Sequence, residues 1–232
     1  MLSLDRLTLA QGDFRLTADL TLPSGSRTAI MGPSGGGKST LLAAIAGFLT
    51  PASGRILWNG QDITTTAPGD RPVAILFQDN NLLPHLTVAQ NAGLALAPRL
   101  LLTPAQRTRI DAALAQVGLT GLGDRKPAQL SGGQQSRAAL ARVLLSDRPL
   151  VLLDEPFAAL GPGLRAEMLD LARATLGPDR TLLLVTHDPD DARRLGGDLV
   201  IVADGTVTQP APADRLLAHP PPALATYLGR TP

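Results

Sequence analysis

I-M-G-P-S-G-G-G-K-S-T, residues 30–40, joins a short apolar run to a helix through a loop whose composition suits phosphate. Gly32, Gly37, Lys38 and Ser39 fit the pattern G-x-x-x-x-G-K-[ST]. Glycines let the backbone turn tightly enough for its N–H groups to converge on phosphate oxygens, where a Cβ would obstruct. The helix start adds about half a positive charge. On this reading Gly32, Pro33, Ser34, Gly35, Gly36 and Gly37 wrap the phosphates of a nucleotide, and Lys38, Ser39 and Thr40 open the helix behind them. Lys38 supplies a full charge to the outer phosphates, and the Ser39 hydroxyl is placed to ligate a magnesium ion bound to them.

Working outward, Leu2, Leu4, Leu7 and Leu9, then Phe14, Leu16, Ala18, Leu20 and Leu22, alternate as two strands joined near Gly12-Asp13, an antiparallel opening. Residues 28–31 are a short buried strand ahead of the loop, and Leu41, Leu42, Ile45 and Ala46 line the helix after it. Residues 54–58 make a strand ending at the Asn59-Gly60 turn, and Val73 to Phe77 a compact one ending at Gln78. Thr87 and Gln90 form a capping box ahead of a helix over 88–96, and Thr103-Pro104 starts another that stops at Gly118. Pro149 closes this helical stretch. Strands at 150–153 and 181–185, helices around Leu164–Leu171 and from Pro189, and a hairpin about Asp204-Gly205 complete the alternation. The Pro-rich end reads as short helices packed on the domain. The whole, 1–232, is expected to be a single α/β domain with a helical insertion at about 84–148.

Composition bounds the function. With 44% hydrophobic residues the chain has ample material for a core. Twenty-one basic residues against 20 acidic leave a formal net charge of +1, so no global field points to nucleic acid or to an anionic membrane. The chain has no cysteine, which removes disulfides, thiolate metal sites and cysteine nucleophiles, and fits an intracellular location. No run approaches the ~20 apolar residues needed to span a bilayer, so contact with a membrane is expected to pass through another protein.

A nucleotide site needs carboxylates, and the apolar strand 150–153 delivers Asp154-Glu155 at its C-terminal end, where parallel strands meet their ligands. Asp154 is placed to hold magnesium opposite Ser39. Glu155 is placed to orient and polarise the attacking water. Read locally, the same pair could simply cap the next segment. In L-S-G-G-Q, residues 130–134, Ser131 and Gln134 form a capping box, and Gly132 and Gly133 at a helix start offer a second anion site. One phosphate loop and two phosphate-binding helix ends suggest that the second end serves a nucleotide held by another copy.

At these residues the sequence resembles the ATP-binding cassette (ABC) family, whose signature is L-S-G-G-Q, in the matching order between the phosphate loop and Asp154-Glu155. The resemblance covers essentially the whole chain. It implies a P-loop, RecA-like core with an N-terminal antiparallel β subdomain and an inserted α-helical subdomain. It implies that Gln78 touches metal and water, and that His187, in T-H-D after a strand, reaches the γ-phosphate; with Glu155 as general base and Lys38 as charge stabiliser these complete the catalytic set. Ser39, Gln78 and Asp154 become the metal set. Two copies are implied to pack head to tail around two ATP molecules, each facing Ser131, Gly132, Gly133 and Gln134 of the other copy.

The segment 77–90, F-Q-D-N-N-L-L-P-H-L-T-V-A-Q, with 47–54 and 64–68, is similar to the ATP-binding subunits of bacterial thiamine importers. That implies a transmembrane permease as partner, a periplasmic solute-binding protein indirectly, and a peripheral place on the cytoplasmic face of the inner membrane. An importer ATPase for another small solute, such as polyamine or iron, and a soluble non-transport ABC ATPase are the rival readings. Two positions depart from the family pattern. Gln11 stands where an aromatic ring usually stacks on adenine, with Phe14 the nearest ring, and Gly161 stands where an aspartate usually helps the two sites communicate.

Overall fold

The computed structural model describes residues 1–229. The opening apolar runs form the hairpin β1 (Leu2–Gln11) and β2 (Phe14–Leu22), in which Leu2 faces Leu22 and Leu9 faces Leu16. β3 (Arg27–Met31) leads through the glycine loop into α1 (Lys38–Ala46). β4 (Ser53–Trp58) lies antiparallel to β1 and reverses at Asn59-Gly60, both left-handed, into β5 (Gln61–Asp62). After β6 (Val73–Leu76) come three helices in succession, α2 (Val88–Gly93), α3 (Pro104–Gln116) and α4 (Gly132–Leu145). The alternation then resumes as β7 (Leu150–Asp154), α5 (Pro162–Leu176), β8 (Thr181–Val185), α6 (Pro189–Leu195) and β9 (Asp198–Ala203). Two short strands, β10 (Thr206–Val207) and β11 (Ala211–Pro212), and two short helices, α7 (Ala213–Ala218) and α8 (Pro222–Tyr227), follow.

The described strands build a sheet in the order β5-β4-β1-β2-β10-β9-β3-β8-β7-β6, with β11 pairing β9 off that path. The half from β9 to β6 is parallel, and the half containing β1, β2, β4 and β5 is antiparallel. β9 joins them, because it runs parallel to β3 and also forms the hairpin with β10, which lies beside β2.

The continuous apolar runs of the parallel strands are explained by burial on both faces. Side chains alternate across a strand, so each strand feeds two cores. Leu150 and Leu152 of β7, Leu183 and Val185 of β8 and Val200 and Val202 of β9 pack with α1 and the antiparallel half. Their neighbours Val151, Leu153, Leu182, Leu184, Leu199 and Ile201 pack with α4, α5 and α6 on the other face. Trp58 belongs to the first of these cores.

Elements differ from their sequence reading mainly in length. The helix expected over 88–96 ends at Gly93, giving way to turns in which Leu94 N–H donates to the Gln90 carbonyl and Ala97 N–H to that of Gly93. Pro98 disfavours a continued helix there. The regular ladder of the last hairpin covers only Thr206 and Val207; beyond it Thr208 N–H still donates to the Ile201 carbonyl, but Ile201 N–H donates to the Thr208 hydroxyl. Among the described residues no helix is long and apolar enough to cross a membrane.

Candidate functional site

β3 ends against β9, and the loop leaves it with almost no clearance. A Cβ on Gly32 would lie 2.0 Å from the Val202 carbonyl oxygen, and its φ of 150° is one that other residues rarely adopt. At the far end Gly37, φ 102°, caps α1, and the Phe14 ring lies where its Cβ would be. Only glycine fits at either end, so the loop keeps its tight path, closed within by Gly36 N–H donating to the Pro33 carbonyl at 3.1 Å. Lys38 folds back over it, its Nζ donating to the carbonyls of Gly32 at 2.9 Å and Pro33 at 2.8 Å. Burial pushes the ammonium below its ordinary pKa, against the pull of Glu155 and Asp154.

β7 brings its C-terminal end beside α1. The Ser39 hydroxyl donates to Asp154 Oδ1 at 3.1 Å. Burial raises the Asp154 pKa above the usual carboxylate range, with Glu155 adding to it and Ser39 and Lys38 opposing. A carboxylate whose charge is made costlier by burial, next to a hydroxyl, is suited to a divalent cation, whose charge would offset that cost. No cluster of three or more His, Cys, Asp or Glu able to hold a metal occurs among the described residues. The donors joined here are one carboxylate and one hydroxyl, with the Gln78 amide lining the same cavity, a sparse set that fits magnesium bound chiefly through substrate phosphates and water.

Glu155 adopts a left-handed backbone, φ 44°, and its N–H donates to the Val185 carbonyl at 3.1 Å. Such a conformation costs on the order of 1 kcal/mol or more in a residue with a Cβ and tends to be kept at functional sites. It turns the carboxylate toward the end of β8, where Oε2 lies 3.6 Å from His187 Nδ1. His187 stands in a braced turn. The Thr186 hydroxyl donates to Asp191 Oδ2 at 2.6 Å and accepts from Arg165 Nη2 and from Asp188 N–H. Arg165, from α5, also donates to Asp191 through Nε at 2.9 Å, with both side chains mostly buried.

These groups share one cavity of about 590 Å³, lined by the glycine loop, Lys38, Ser39, Gln78, Glu155 and His187. Gln11 and Phe14 also line it, so both residues considered for the adenine side reach the cavity. Ser131, Gly132, Gly133 and Gln134 do not. They start α4 with a reciprocal capping box, Ser131 Oγ accepting from Gln134 N–H and Gln134 Oε1 accepting from Ser131 N–H, and Ser131 and Gly132 face outward. His85 and Asp79 also lie outside the cavity lining. Two residues passed over in the sequence belong to this region. Arg142 of α4 donates to the carbonyls of Asn80 at 2.9 Å and Asn81 at 2.7 Å, fixing the left-handed turn just after Gln78. Tyr227 of α8 lines the cavity beside His187. It is the chain's single tyrosine, and nothing in the local sequence links it to the site.

A family model described as "ABC transporter" matches residues 17–158. The chain is 59% identical over 230 residues to the thiamine import ATP-binding protein ThiQ of Cereibacter sphaeroides, covering 99% of this chain and all of that one. It is 55% identical to the protein of the same name from Ruegeria sp., with the same coverage. Among solved structures it is similar to the dimeric structure of MJ0796, a bacterial ABC transporter cassette, with a TM-score of 0.79 and 29% identity over 92% of this chain and 99% of that one. The dimeric post-hydrolysis state of the same cassette, bound to ADP and Pi, gives a TM-score of 0.78 at equal coverage.

Proposed function

The chain belongs to the ABC transporter family, and on that premise we propose that it is the ATP-hydrolysing subunit of an importer for thiamine and its phosphates. The carrying observation is the convergence of Lys38, Ser39, Gln78, Glu155 and His187 on one cavity, with Asp154 hydrogen-bonded to Ser39 at its edge. The cargo rests on the two relatives named thiamine import ATP-binding proteins, which match the chain over nearly its full length.

In this reading the glycine loop binds the ATP phosphates, and Lys38 exchanges its two carbonyl partners for phosphate oxygens. Ser39, Asp154 and Gln78 would hold magnesium, which would supply positive charge against the ATP phosphates. Glu155 takes a proton from water as the water oxygen bonds to the γ-phosphorus and the bond to the bridging oxygen breaks, releasing ADP and phosphate. Lys38 and His187 stabilise charge on the transferring group. Two copies pack head to tail, so that Ser131, Gly132, Gly133 and Gln134 of each close the cavity of the other; the dimeric cassettes of similar fold and the outward-facing capped start of α4 support this. Residues 1–232 act as one domain, with 84–148 as its helical part turned to a transmembrane permease. The protein sits peripherally on the cytoplasmic face of the inner membrane, and a periplasmic binding protein delivers the solute.

The test is ATP hydrolysis by the full chain reconstituted in liposomes with its co-purifying permease and binding protein. Thiamine is expected to stimulate phosphate release. Hydrolysis that ignores thiamine and its phosphates would remove the cargo and leave the ATPase standing.

A further inference from the structure

His187 offers its imidazole to the cavity, and its backbone is held from two sides. One side of the turn is braced by Thr186, Asp191 and Arg165. The other side meets α8. Tyr227, the last residue of that helix, donates its hydroxyl to the His187 carbonyl at 3.3 Å while its ring lines the same cavity as Lys38, Glu155 and His187. α8 is itself anchored, since Leu224 is fully buried in the core shared with α5 and α6, and Tyr227 and Leu228 pack against that core.

We propose that Tyr227 is a positioning residue for the ATPase reaction, holding the turn at 186–188 so that the His187 imidazole faces the phosphate end of the cavity. This rests on the reading of His187 as a phosphate-facing residue. Two features suit the role. Donation to a main-chain carbonyl fixes the turn without consuming either imidazole nitrogen, which leaves both free for Glu155 and a phosphate oxygen. Burial, with the carboxylates of Glu155 and Asp188 nearby, pushes the phenol above its usual range, so the hydroxyl stays a donor across the neutral range. The C-terminal helix is thereby a working part of the site.

The experiment compares phosphate release by the full chain with that of Tyr227→Phe and Tyr227→Ala, and follows the His187 imidazole by proton–carbon NMR, its resonance assigned with His187→Ala. Removing the ring and hydroxyl together is expected to lower kcat by roughly tenfold with KM for ATP unchanged, since displaced catalytic groups lose turnover rather than binding. Restoring the ring in Tyr227→Phe is expected to recover most of it, leaving a loss of about threefold, the size of one net hydrogen bond. The His187 resonance is expected to shift in both variants while that of His85 stays put. A kcat for Tyr227→Ala within twofold of the parent, or an unmoved His187 resonance, overturns the proposal. Absence of phosphate release by the parent chain would instead refute the ATPase reading on which it rests.

Discussion

Glu155 Oε2 and His187 Nδ1 lie 3.6 Å apart at the ends of two neighbouring parallel strands, β7 and β8. In the proposed mechanism the first is the carboxylate that takes a proton from water and the second the imidazole that meets the γ-phosphate, and both line one cavity. Glu155→Gln keeps the shape and the backbone conformation but cannot accept that proton. ATP binding is expected to persist while hydrolysis slows by roughly 10²- to 10⁴-fold, the usual range for a lost acid–base group. Single-turnover phosphate release beside nucleotide binding measures both, and near-normal turnover would refute the role given to Glu155.

The charge of Asp154 is carried at a cost to stability. Its carboxylate is held above its unfolded pKa of 3.8, chiefly by burial, so the charged form is disfavoured in the fold. This cost is fully present above the raised folded pKa and is relieved as pH falls through it toward the unfolded value. Asp154→Asn keeps an acceptor for Ser39 and removes the charge. The ligand-free variant is expected to melt at a higher temperature than the parent at neutral pH, with the gap closing in acid, and to lose magnesium-dependent hydrolysis. Equal melting temperatures across that range would show that burial of the carboxylate carries no cost.

Arg71 is 1% exposed and donates to four carbonyls, those of Ala44 and Ile45 at the end of α1 and of Thr64 and Thr66 in the loop after β5, at 2.7 to 2.9 Å. It caps the helix that begins at the phosphate loop and places a cation at its negative end. A lysine cannot span four acceptors from one ammonium. Arg71→Lys is expected to cost roughly 3 kcal/mol, from two or more buried carbonyls left unpaired, and so to lower Tm by about 6–12 °C. Calorimetry decides it, and a shift of a degree or two would mean that the loop closes over the smaller cation.

Thr28 of β3 is fully buried, and among the described residues its hydroxyl has no hydrogen-bond partner. It points into an apolar gap bordered by Leu2, Leu20, Ile30, Leu41 and Leu183. Thr28→Val removes an unpaired polar atom at nearly constant shape. A gain of roughly 1 kcal/mol is expected, read as a higher urea midpoint at unchanged slope. Destabilisation would show that the hydroxyl has a partner the geometry does not reveal.

Local signals carried most of what the sequence disclosed. The glycine loop, the carboxylates ending an apolar strand, and the capping boxes at Thr87-Gln90 and Ser131-Gln134 are each written within a few consecutive residues, and each has its element in the structure. Arg71, Arg142 and Tyr227 were illegible for one shared reason. The partners of Arg142 lie 61 and 62 residues away, that of Tyr227 lies 40 away, and the two carbonyls of α1 that Arg71 caps lie 26 and 27 away, so only the folded chain brings them together. The division of β3, β7, β8 and β9 between two cores was hidden differently, because a strand buried on both faces reads as an unbroken apolar run.

That division makes each central strand a ruler as well as a wall. Swapping one aliphatic side chain for another in β7 alters a single packing site. Deleting one residue would exchange every following side chain between the two cores and draw Asp154 back from Ser39 by a strand step of about 3.3 Å. Along Leu150–Asp154 the chain is therefore free to vary in spelling and fixed in length, and insertions and deletions belong in the surface turns.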